Sequence, residues 1–168
     1  MAPIPTEYER FWTVAEKNKP HLDRARFLEA FAFGDSERMA QELAELVLQG
    51  TKRATASLVW SYDDGRSQPK PGDLSIVTTW SKEPLCIIET TAVDIVPFEE
   101  VSEDFANTEG EGDGSLESWH RNHTAFFAGE CARLGRTQSP RMLVVCERFK
   151  MVYQPGSAPS AEIGRAHV

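Results

Sequence analysis

Apolar residues recur at helical spacing in some stretches of this chain and alternate with polar ones in others. Near the start, Tyr8, Phe11, Trp12 and Ala15 mark one face of a helix that Pro20 stops, and Thr6 and Glu9 stand at capping-box spacing. Met39, Leu43, Leu46 and Val47 mark a second helix, with Asp35 or Ser36 available as its N-cap and Gly50 at its end. Leu116, Trp119, His123, Phe126, Phe127, Cys131 and Leu134 form the stripe of the longest helix, opened by Ser115 and closed by Gly135. Leu22 to Phe31 is less regular. Its Leu22, Phe27, Leu28 and Phe31 predict a short helix.

Strand patterns cover Ala56 to Tyr62, Leu74 to Trp80, Leu85 to Val96 and Met142 to Tyr153. Asp63-Asp64-Gly65 reads as a turn, Pro69 to Asp73 as a loop and Pro97 to Phe105 as a polar connection. Two carboxylates interrupt otherwise apolar rows. Glu89 shares a strand face with Leu85, Ile87, Thr91, Val93 and Ile95, and Glu147 shares one with Leu143, Val145, Phe149 and Met151. A carboxylate in such a row needs a partner or solvent. Glu89 therefore either meets a cation such as Lys52 across a pocket or lies on a half-exposed face. Glu147 raises the same question, with Arg53 or a ligand as its partner.

Helices come first, then strands broken by one long helix, without a βαβ rhythm. That order predicts an α+β fold: a small, mostly antiparallel β-barrel flanked by helices. Net charge is -8, which argues against broad binding to a polyanion while leaving room for a local basic pocket. Cys86, Cys131 and Cys146 are odd in number and far apart, so neither a disulfide framework nor a zinc knuckle is expected. Residues 1–20 lack a basic-then-apolar signal pattern and no apolar run approaches spanning length, so the expectation is a cytoplasmic chain with no membrane partner. The Gln154 to Val168 tail, rich in Pro, Ala, Ser and Gly, is expected to be disordered.

The candidate chemistry lies in Gly50-Thr51-Lys52-Arg53-Ala54-Thr55-Ala56-Ser57-Leu58. Two adjacent cations follow a helix end, and a hydroxyl lies three residues past the first. In an extended chain Arg53 and Thr55 share a face, and an irregular residue near Ala54 is needed to bring Lys52 round to Thr55. On the functional reading Lys52 is a donor or base and Thr55 its partner. On the plain reading both cations complement a helix dipole. Asn107 to Gly114 carries Glu109, Glu111 and Asp113 among glycines, without EF-hand spacing. It reads as a flexible loop whose acids favour the next helix N-terminus, and it can also cover a site as a lid. His120 and His123 are neighbours on the long helix but lack a third ligand at metal spacing.

Gly50-Thr51-Lys52-Arg53-Ala54-Thr55 resembles the G-x-K-x-x-T signature of the ASCH domain family, whose fold is a PUA-like β-barrel. The resemblance continues through Pro71-Gly72-Asp73, Cys86 to Thr91, Glu109 to Asp113, Ser115 to Trp119 and Val145 to Phe149, and assigns residues 27–153 to the domain. Residues 1–26 become an N-terminal helical extension packed on it. Many members carry an arginine where this chain has Ser57, so that cation is either missing here or supplied by Arg53 or Arg66.

The resemblance implies function directed at RNA or a modified nucleoside. Some members hydrolyse the amide of N4-acylated cytidine, some are ribonucleases, and others are RNA-binding modules linked to translation. The lysine, threonine and glutamate of the amidohydrolase members match Lys52, Thr55 and Glu89, and that chemistry needs no metal or other cofactor. Arg53, Ser57, Trp60, Glu111, Asp113, Trp119 and Glu147 complete the set as candidate substrate-binding residues. Protonation roles stay open at this point: Lys52 is either a base with its pKa lowered by burial or an ammonium that stabilises an oxyanion.

Overall fold

A computed structural model describes residues 3–156. Helices α1 (Glu9–Asn18), α2 (Glu37–Leu48), α3 (Glu103–Glu109) and α4 (Leu116–Leu134) surround a five-stranded sheet. Its strands are β1 (Phe27–Phe31), β2 (Ala54–Leu58), β3 (Leu74–Thr78), β4 (Pro84–Pro97) and β5 (Leu143–Tyr153), in spatial order β1-β3-β4-β5-β2. β1 runs parallel to β3, and the other pairings are antiparallel. The fold is α+β with a mixed, mostly antiparallel sheet.

The ladder is open, where a closed barrel was expected. β1 and β2 are its two ends and do not pair with each other. Residues of both edge strands nevertheless line one groove, which also takes in Glu147 of β5. The sheet curls far enough to bring its edges to one place but leaves them unzipped.

Each sheet region buries a different helix. α1 lays Trp12 and Ala15 against Phe27, Leu74, Ile76, Ile87 and Tyr153. Val47 of α2 packs with Phe33, Val77, Cys86, Ile88 and Phe149. α3 and α4 contribute Phe105, Ala106, Trp119, Phe127 and Cys131 to a cluster with Ala54, Leu58, Val144 and Cys146. The caps follow the sequence where a hydroxyl precedes an apolar stripe. Ser36 accepts from Met39 N at 3.2 Å, and Ser115 accepts from Ser118 N at 3.1 Å. At the N-terminus Thr6 lies inside a short 3₁₀ turn, Thr6–Tyr8, so the capping box at Thr6 and Glu9 does not form.

Several segments differ from their patterns: of Ala56 to Tyr62, read as a strand, Val59–Tyr62 is a 3₁₀ turn, and Asn107 to Glu109, read as loop, belong to α3. Leu22 to Phe31 supplies a 3₁₀ turn (Arg24–Arg26) and strand β1 rather than a helix. Its partner is the distant β3, and that pairing overrides the local spacing. Pro97 to Phe105, read as a polar connection, contains the start of α3, capped by Ser102, whose side chain accepts from Phe105 N. Of the tail expected to be disordered, residues 157–168 lie outside the described residues. Among the described residues no helix is long and apolar enough to cross a membrane.

Candidate functional site

The turn after α2 aims Lys52 inward. Gly50 adopts φ +83°, and Thr51 N and Lys52 N both donate to Leu46 O, at 2.9 and 3.1 Å. These bonds satisfy one of the carbonyls left over at the helix end and reverse the chain. Arg53 N then donates to Thr108 O, and Phe149 N donates to Arg53 O. Residues 51–53 precede β2, so Lys52 is free of the strand period. Its side chain turns into the protein and is 1% exposed.

An ammonium buried this deeply must find acceptors. Lys52 Nζ donates to Ala54 O at 2.7 Å, to Glu111 Oε2 at 2.7 Å and, at 3.4 Å, to Glu109 Oε1. Glu109, the last residue of α3, also accepts from Trp119 Nε1 at 3.1 Å, and its Oε1 lies 3.3 Å from His123 Nε2. His123 Nδ1 is 3.0 Å from Trp119 O. Gly110 lets the loop pass this close. A Cβ there would sit 2.3 Å from Thr51 O, and its φ is +69°.

The charges are divided unevenly. Burial pulls Lys52 towards the neutral amine, but Glu109 and Glu111 outweigh it and raise its pKa above the ordinary value. Burial opposes ionisation of Glu109 as well, yet Lys52 and His123 hold it far below the usual carboxylate range. Glu111 is raised by burial and by the neighbouring Glu109, against the pull of Lys52. The cluster thus holds a fixed cation, a fixed anion and one carboxyl that exchanges its proton more readily.

The cluster opens on a cavity of about 90 Å³ walled by Phe33, Met39, Leu43, Asn122 and Phe126, with Thr55 and Ala56 at its edge. Thr55, Ala56, Phe33, Gly34 and Phe126 also line a groove of about 300 Å³ that continues along the sheet edges. Thr55 stands at the junction of the two. A larger hollow, about 740 Å³, lies between β1, Tyr8, Trp80 and Lys82, away from this cluster. Volume alone does not locate chemistry, and the buried ion cluster marks the smaller cavity.

Glu89 is elsewhere. It pairs with Arg26, whose terminal nitrogen lies 3.0 Å from Glu89 Oε2, and the expected contact with Lys52 is not made. A bulge in β4 at Thr91, between Thr90 and Ala92, breaks the alternation on which the apolar row was drawn. Arg53 is exposed on its side-chain side, and its backbone makes the anchoring bonds. Ser57 Oγ is 2.9 Å from Tyr62 OH in the outer groove. Trp60 lies under the Arg136 guanidinium, 5.1 Å from the ring centroid. Asp113 is exposed and accepts from Ser115 N and Oγ, ordering the start of α4. Trp119 is 4% exposed and stacked on His123 at 4.0 Å, which closes its ring to an outside base. Glu147 faces the groove and accepts from Thr90 Oγ1 at 2.6 Å.

Glu109 was legible only as part of an acidic loop. The available signal was that its carboxylate ends an apolar helical stretch, Phe105 and Ala106, where a buried acid demands a cation. Glu109, Glu111 and His123 place ligand atoms within 4.8 Å of one another, a set that can hold a metal ion. The Lys52 ammonium already stands among those oxygens, 2.7 and 3.4 Å away, so the donor set is neutralised from within the chain.

Residues 29–153 match the ASCH domain. The chain belongs to the ASCH domain family. The ASCH family is associated with RNA in general. The crystal structure of an ASCH domain from Lactobacillus crispatus JV V101 is 40% identical, covers 87% of this chain and 96% of its own, and superposes with a TM-score of 0.77. A protein of Enterococcus faecalis V583 is 36% identical over 89% of this chain and 95% of its own, with a TM-score of 0.77. No curated protein matches this ASCH chain.

Proposed function

We propose that this ASCH protein is a metal-independent hydrolase that deacylates small N4-acylated cytidine-type substrates. The observation that carries the reading is the buried Lys52 ammonium, 2.7 Å from Glu111 in the cavity that also admits Thr55. A cavity of about 90 Å³ suits a short acyl group rather than a nucleotide. The adjoining groove includes Glu29, Glu130 and Glu147 beside Arg66 and Arg133, a balance that favours a small neutral ligand over a polyanion.

In this reading Lys52 acts as an electrophile rather than a base, supported by Glu109 and Glu111, which hold its pKa above the ordinary lysine value despite burial. Thr55 Oγ adds to the amide carbon while its proton passes to Glu111. The developing oxyanion takes the Lys52 N–H that now makes the long 3.4 Å contact to Glu109. The C–N bond breaks as Glu111 returns the proton to the leaving nitrogen. Water then adds to the threonyl ester with Glu111 again as base, releasing the carboxylic acid and restoring Thr55. Glu89, held by Arg26 outside this cavity, has no step in this scheme.

The test is incubation with N4-acetylcytidine and, separately, with labelled single-stranded RNA. The expected result is acetate and cytidine from the first, loss of that activity in Thr55→Ala, and intact RNA. Cleavage of RNA without deacylation would support the ribonuclease reading. Salt-sensitive RNA binding without either reaction would support a non-catalytic RNA-binding module.

A further inference from the structure

Beyond Thr55 the site continues into the groove of about 300 Å³ between the two sheet edges, and Glu147 is its most constrained polar group. Thr55 and Glu147 are direct partners in the β2–β5 ladder, so their side chains leave the sheet side by side on one face. Thr90 Oγ1 donates to Glu147 Oε2 at 2.6 Å, which fixes the carboxyl in place. Glu147 Oε1 has no hydrogen-bond partner among the described residues. Phe31, Phe33 and Phe126 give the groove apolar walls, and Tyr62 and Ser57 hydrogen-bond each other.

We infer that this groove is the leaving-group subsite, in which Glu147 recognises the edge of a 4-aminopyrimidine through both carboxyl oxygens. The inference rests on the hydrolase reading for the identity of the bond that breaks, but not for the recognition itself. Oε2 already accepts from Thr90 and has a lone pair left for the exocyclic N–H. Oε1 then carries the carboxyl proton and donates it to the ring nitrogen beside that amine. Burial, with Glu29 and Asp73 nearby, pushes Glu147 up to about 7 against the opposing Thr90 bond and Lys52, so the protonated form is available at neutral pH.

The Thr90 bond sets the polarity of this two-point contact. A cytosine-type edge presents N–H opposite Oε2 and a bare ring nitrogen opposite Oε1. A uracil-type edge presents a carbonyl and a ring N–H at those places, setting acceptor against acceptor and donor against donor. With the exocyclic nitrogen at Glu147, its acyl group reaches past Thr55 into the inner cavity.

Calorimetric titration of the folded protein with cytidine and with uridine tests this without any turnover. We expect cytidine to bind about tenfold or more tightly than uridine. Glu147→Leu loses that preference, while Glu147→Gln keeps it, because a carboxamide offers the same acceptor and donor pair. Thermal melting of both variants checks that the fold persists. Equal binding of the two nucleosides by the wild type, unchanged selectivity in Glu147→Leu, or lost selectivity in Glu147→Gln would each overturn the assignment. Cytidine selectivity that depends on Glu147, found together with no hydrolysis of N4-acetylcytidine, would sink the hydrolase reading and leave the subsite standing.

Discussion

Lys52 and Glu89 are both charges that the sequence marks as candidate site residues, and the fold treats them in opposite ways. Lys52 is 1% exposed and locked to Glu109, Glu111 and a backbone carbonyl. Glu89 keeps a quarter of its side chain in solvent and pairs with Arg26, which is a third exposed. An exposed pair of this kind contributes at most about 1 kcal/mol and asks nothing further of the structure. A buried ammonium is different, because every group around it must be arranged to offset its desolvation. The α2 turn, Gly110, the end of α3 and His123 are all committed to that arrangement. That commitment of several elements to one cation is what supports the proposal that Lys52 belongs to the site.

The sharpest way to break this contrast is to remove each charge in turn. Lys52→Met leaves Glu109 buried without its main partner, and we expect a loss of about 3–5 kcal/mol in chemical denaturation. Glu89→Gln is expected to change stability by no more than about 1 kcal/mol and to leave deacylation near the wild-type rate. A Glu89→Gln enzyme as inactive as one lacking Thr55 would return Glu89 to the site. Glu111→Gln comes next: kcat is expected to fall by about a hundredfold or more, with a loss of stability smaller than that of Lys52→Met. A rate within a few-fold of wild type would strip Glu111 of its acid–base role.

The pH dependence separates the carboxyls without touching substrate. Glu147, raised to about 7, is protonated in the folded chain over a range where the unfolded chain has ionised. Its contribution is fully present below the unfolded value and is lost as pH rises through about 7. Glu147→Gln should therefore gain stability relative to wild type as the buffer moves from acid to mildly alkaline, and melting curves that stay parallel would contradict this. Glu109 has the opposite sign. Its depressed pKa supplies stability above the unfolded value and loses it as pH falls through the folded one. The smallest effect expected is that of a chelator: melting and deacylation should both be unchanged, since Lys52 supplies the positive charge at Glu109 and Glu111.

Sequence patterning disclosed what depends on neighbours along the chain. The α2 and α4 stripes, their Ser36 and Ser115 caps and the strands from Leu74 onward could be read because caps and periodicity are local. β1 could not, since Phe27–Phe31 is a strand only beside Leu74–Val77, far along the chain. The same limit governed the site. Lys52 and Thr55 belong to one short motif and were legible, whereas the choice between Glu89 and Glu111 as the carboxylate facing Lys52 depends on where a loop lands. The bulge in β4 between Thr90 and Ala92 made the Glu89 row look more buried than it is. Family resemblance pointed to the Gly50 to Thr55 motif, and only the packing of α3 against the α2 turn shows which acids surround Lys52.

The proposed mechanism requires that Lys52 keep its proton because Glu109 and Glu111 surround it. Heteronuclear NMR of the lysine ammonium groups across an alkaline titration reads this directly. Lys52 should give a slowly exchanging ammonium signal that titrates above the ordinary lysine value, and replacing Glu111 with Gln should bring that titration down. An ammonium that loses its proton near neutrality would make Lys52 a base and overturn the scheme built on it.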